Sequence, residues 1–192
     1  AACLLAAGYV LGVHVGLALT FASNPVSTLW PPNAILLAAL LLMPRRTWWM
    51  LIAAVLPAHL LTQTLLGVPL TMSLCWFVSN VAEALLGAAL TLKYCGRIPR
   101  FDRVRDLSIF LLTGALIAPL LSTFLDAAFV ALVQWRYTDY WQIWRMRLFS
   151  NSLATLILVP LIVVGFQTTL RRIRQASLGD YLESILLIVA TC

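Results

Sequence analysis

Charge is what this sequence has least of. Only 10% of its residues are Asp, Glu, Lys or Arg, and lysine occurs once, at Lys93. A soluble domain carries about a quarter charged residues, so a freely soluble globular chain is excluded. The single lysine falls at the end of an apolar run, which argues against a retinal pigment held by a buried lysine. Four cysteines (Cys3, Cys75, Cys95, Cys192) show no paired spacing, and no disulfide framework is expected. His14 and His59 stand alone, and HExxH, CxxC and GxxxxGK[ST] are all missing, so neither a metal site nor a phosphate loop is expected. No cofactor and no catalytic constellation follow from these residues.

What remains is apolar. Hydrophobic residues make up 62% of the chain, and mean hydropathy is +0.95. The residues fall into seven apolar segments, 1–21, 29–43, 47–63, 68–94, 107–133, 140–166 and 181 onward. A helical span needs about 20 apolar residues. The expected fold is all-α, a polytopic transmembrane bundle of seven spans built from helical hairpins, with a short or broken second helix and a truncated last one. The chain reads as a single domain over residues 1–192, cut at both ends and lacking a cytoplasmic output domain.

The net charge of +6 does not point to nucleic acid. Its basic residues lie between spans, in alternate loops: Arg45 and Arg46, then Lys93, Arg97, Arg100, Arg103 and Arg105, then Arg171, Arg172 and Arg174. The positive-inside rule puts these loops, and the N-terminus, on the cytoplasmic side of the membrane. Trp48 and Trp49 mark the inner interface, and Trp135, Tyr137, Tyr140 and Trp141 the outer one.

"STLWPPNAILLAALLLMPRR", from Ser27, carries an oddity: two prolines and an asparagine at the mouth of a short hydrophobic run. Proline fits the first helical turn, where its missing N–H is no loss. Counting helix rise, Asn33, Asn80 and Asn151 all fall near the same depth, the middle of the bilayer. Irregular backbone there must be packed in protein or line a wet cavity. Ser79-Asn80 in "FVSNVAEALLGAAL" and Ser150-Asn151 in "LFSNSLATLILVPL" sit at matching points, a weak repeat of a helical hairpin.

Other polar residues gather in the same zone. Trp76, Asn80, Glu83 and Gly87 share one helix face, as do Arg147 and Asn151. A charge inside a span costs at least about 2.5–3.5 kcal/mol and faces a partner or a cavity. Asp126 is expected to pair with Arg145 or Arg147. Trp30, Pro31, Asn33, Asn80, Glu83, Arg147 and Asn151 are expected to line one ligand cavity open to the outside. Arg147 and the free amides of the broken helix would favour an anionic or zwitterionic ligand, or one with a polar head and an apolar body. The rival reading makes these residues clasps between helices and nothing more.

"LWPPNAILLAALLLMPRR", "FVSNVAEALLGAAL", a basic loop and then "WRMRLFSNSLATLILVPL" together resemble the bacterial membrane-associated sensor domain family, first type, of the group abbreviated MASE. The likeness runs from Ser27 to Val164. It implies a membrane input domain preceding histidine kinase, diguanylate cyclase or phosphodiesterase modules. The expected function is sensory: detection of a small ligand or a membrane partner, with a signal to a cytoplasmic output domain, most simply a histidine kinase. Expected partners are the lipid bilayer, the unidentified ligand or protein, and a second copy joined through the output domain. A transporter- or channel-like module is the alternative, since transporters also place polar groups at broken helices.

Overall fold

A computed structural model describes residues 2–20, 27–134 and 139–175, without the side chains of 171–175. Among these residues every regular element is helical. The helices are α1 (Ala2–Ala18), α2 (Pro31–Leu42), α3 (Trp48–Leu65), α4 (Leu70–Cys95), α5 (Val104–Phe110), α6 (Ala118–Val133) and α7 (Tyr140–Gln175). A π-helical stretch, Leu111–Ile117, joins α5 to α6 in one continuous rod.

Helix α2 explains the short segment. It has 12 residues and begins with Pro31 and Pro32 in its first turn. It packs against α1, α3, α4 and α7 together, and nine of its residues are buried. A helix enclosed by others has no lipid-facing side to match to the bilayer, so a length below a full span is tolerated. Its open C-terminal carbonyls are met by a side chain: Trp48 Nε1 donates to Leu40 O at 2.9 Å and to Met43 O at 3.2 Å.

Four helical units are long and apolar enough to cross a membrane: Arg45–Leu65, Leu70–Cys95, Val104–Val133 and Tyr140–Leu170. The expectation of seven spans therefore holds for four. Helices α1 and α2 fall short, at 17 and 12 residues, and segment seven lies outside the described residues, as do Trp135, Arg136 and Tyr137.

The segment before α2 is docked rather than loose. Ser27 Oγ lies 2.6 Å from both Gly16 O and Leu29 O, and Trp30 lies against Gly16. A Cβ on Gly12 would sit 2.8 Å from Ile35 Cδ1 and 3.3 Å from Pro31 Cβ. Glycine thus lets α1 and α2 approach closely. Further along the chain, the π-helical turn accommodates Pro119. The Ala118 N–H donates five residues back to Thr113 O, and the wider turn leaves room for a ring that cannot donate to Ala115. Beyond α4, Gly96 ends the helix at φ 71°. Asp106 then ties down the basic loop, accepting from Arg97 Nη2 at 2.9 Å and from the Arg100 N–H at 3.1 Å.

Candidate functional site

Ser79, Asn80 and Glu83 occupy adjacent turns of α4 and are all buried, so each must find partners on neighbouring helices. They find three different sets.

Glu83 faces α6 and α7. Its Oε2 accepts from Ser122 Oγ at 2.5 Å and from Asn151 Nδ2 at 2.7 Å, while Oε1 has no partner. Asn33, in the first turn of α2, stands beside this carboxyl, although neither of its amide atoms meets hydrogen-bond geometry. Asn151 Oδ1 is also unpartnered. Asn33, Glu83 and Asn151 are 1%, 2% and 4% exposed, which makes the cluster closed. Among the described residues, helices α2, α4, α6 and α7 pack around these groups. A cleft of about 470 Å³ lies elsewhere, between residues 100–102 and the far end of α7.

Ser79 faces Asp126, donating to Oδ1 at 3.2 Å. Asp126 Oδ2 lies 2.9 Å from Arg147 Nε, but that N–H is not aimed at the oxygen, so the contact is an ion pair by proximity. The guanidinium also covers the Trp76 ring at 4.9 Å. Of the two arginines expected here, Arg147 makes the pair and Arg145 is exposed. The two are about 200° apart around α7, so only one can face α6.

Asn80 leads away from both acids. Its Nδ2 lies 3.4 Å from Tyr9 Oη, which lies 3.0 Å from His59 Nδ1, and His59 Nε2 lies 3.0 Å from Ser73 O. A carbonyl only accepts, so Nε2 carries the proton. Nδ1 then accepts from the Tyr9 hydroxyl, and Tyr9 Oη accepts from Asn80. His59 is therefore buried and bonded at both ring nitrogens.

The seven residues expected around one cavity thus divide. Asn33, Glu83 and Asn151 meet in one cluster. Arg147 belongs to the adjoining ion pair, and Asn80 to the tyrosine–histidine string. Trp30 and Pro31 turn to α1, against Gly16 and Gly12. Sequence reasoning missed Tyr9 and Ser122. Ser122 could have been found four residues before Asp126 on one face. Tyr9 could have been found on the Tyr9, Gly12, Val13 and Gly16 stripe, all buried.

Among the described residues, no group of three or more His, Cys, Asp or Glu side chains is placed to hold a metal. The chemistry within reach is therefore that of polar recognition at a buried acid between helices. No curated relative and no solved structure matched the chain. One family model does, over residues 1–191, nearly the full length. The chain belongs to MASE1, the membrane-associated sensor domain family found in histidine kinases and diguanylate cyclases.

Proposed function

We propose that this domain is the input module of a bacterial sensor histidine kinase, seated in the inner membrane with its N-terminus in the cytoplasm. It detects a small ligand or a membrane partner and passes the change to a cytoplasmic output domain through α7. The observation that carries this reading is the cluster of Asn33, Glu83 and Asn151. It ties α4 to α7, a helix of 36 residues, beside the first turn of α2, and it leaves polar atoms on all three side chains unpartnered. A buried unsatisfied group costs about 1–3 kcal/mol, so the resting arrangement is under-satisfied, and binding that supplies partners shifts it. A structural clasp alone would be expected to satisfy its own atoms. The basic residues in alternate loops support the orientation. Of the two output classes in which the family occurs, the kinase is the reading adopted.

The test uses the full-length protein in lipid nanodiscs. Autophosphorylation is measured with and without a panel of ions and metabolites. A response in the wild type that disappears in Glu83→Gln is expected. An equal response in folded Glu83→Gln would rule out this cluster as the sensing element. Synthesis of a cyclic dinucleotide in place of phosphorylation would replace the kinase with a cyclase.

A further inference from the structure

We propose that Asn33, Glu83 and Asn151 form a binding site for one monovalent inorganic cation of the sodium class. This deepens the sensory reading of the same cluster, but its test needs no output domain.

The argument begins with the atoms left over. Glu83 Oε1, Asn33 Oδ1 and Asn151 Oδ1 are buried oxygens without a partner. A rotation of either amide exchanges its nitrogen and oxygen without changing its shape, so Asn33 and Asn151 can both present oxygen to a cation beside Glu83. One carboxylate oxygen and two amide oxygens are hard ligands of the kind that hold alkali and alkaline-earth ions.

Charge selects the valence. Two buried carboxylates, Glu83 and Asp126, share this region, and Glu83 feels the charge of Asp126. Arg147 is committed to Asp126 at 2.9 Å. When ionised, Glu83 has no cationic partner among the described residues, and a single positive charge balances it. A divalent ion would leave an excess positive charge in a low-dielectric interior, at the penalty that opposes any unpaired buried charge.

Space selects an ion over an organic ligand. The three side chains are at most 4% exposed. One turn from Glu83, a Cβ on Gly87 would meet Leu37 at 3.2 Å and Ala118 at 3.4 Å, so α2, α4 and α6 are in close contact there. Such packing admits a dehydrated ion and excludes a metabolite.

The attractions expected for an anionic ligand are reduced. Arg147 is spent on Asp126. Two of the four free amides at the start of α2 are lost to Pro31 and Pro32, which have no N–H to offer.

The experiment measures equilibrium binding of radiolabelled sodium to the full-length protein in nanodiscs, with choline holding ionic strength constant at fixed pH. The wild type is expected to show one saturable site per chain. Glu83→Gln removes the charge while keeping the shape and should abolish binding, whereas Asn33→Leu and Asn151→Leu should each weaken it by about tenfold or more. Helical circular dichroism confirms that each variant is folded. Absence of saturable binding in the folded wild type would overturn the proposal, and it needs no variant to fold. Undiminished binding in folded Glu83→Gln would overturn it equally. If sodium binds as expected while autophosphorylation ignores every ligand, the sensory reading fails and the cation site stands.

Discussion

Replacing Asp126 with asparagine keeps the shape of the side chain and its acceptor for Ser79, but removes the charge that faces Arg147. Removing one partner of a buried ion pair destabilises by about 3–5 kcal/mol, because the other charge is left uncompensated. Two features lower that figure here. The Arg147 side chain is 13% exposed, so some solvent or headgroup contact remains. Its guanidinium also keeps the Trp76 ring at 4.9 Å, a contact worth up to about 2 kcal/mol when desolvated. The expected loss for Asp126→Asn is therefore about 2–3 kcal/mol. Arg147→Met should lose more, about 3–5 kcal/mol, because Asp126 is then left with Ser79 alone. The double variant should lose clearly less than the sum, since no charge remains unpaired. The assay is a reversible SDS titration of the purified chain in detergent micelles, read by circular dichroism. Losses that add to within about 0.5 kcal/mol would refute the pair as an energetic unit.

Gly12→Ala should destabilise the domain by about 1–3 kcal/mol in the same titration, because the new methyl meets Ile35 and the Pro31 ring. Gly165→Ala, inside α7 with nothing within 4 Å of its Cβ, should instead stabilise by up to about 1 kcal/mol through helix propensity. Thr113→Val should lose about 1 kcal/mol, since Thr113 Oγ1 lies 2.9 Å from Thr91 Oγ1 where the π-helical turn packs on α4. Single cysteines at Arg100 and Tyr137, in a background without native cysteines, should label from opposite sides of the membrane. An impermeant thiol reagent that reaches position 100 in intact cells would reverse the orientation.

The membrane class, the helical fold and the positions of most helices were legible in the sequence, because long apolar runs broken by basic loops admit few other structures. The start of α2 was legible as well. Pro31 and Pro32 fit only a first turn, and the short run after them could hold a helix of little more than three turns. Shared faces along one helix were readable too, since a period of 3.6 residues fixes which side chains rise together. That placed Asn80 with Glu83 and Arg147 with Asn151. Periodicity does not say which neighbour each face meets. The choice of Arg147 over Arg145 depended on how α7 is rotated against α6, a consequence of packing along their whole length. Asn80 looked equivalent to Asn151, yet it bonds Tyr9, 71 residues away, while Asn151 bonds Glu83 across 68. Contacts at such separations leave no local trace, because neither residue alters the propensity of its own helix. Sequence determined that polar groups within apolar helices had to face protein rather than lipid. Only the tertiary packing of α2 at the centre of the bundle decided that Asn33 would lie beside Glu83, and that both would be buried.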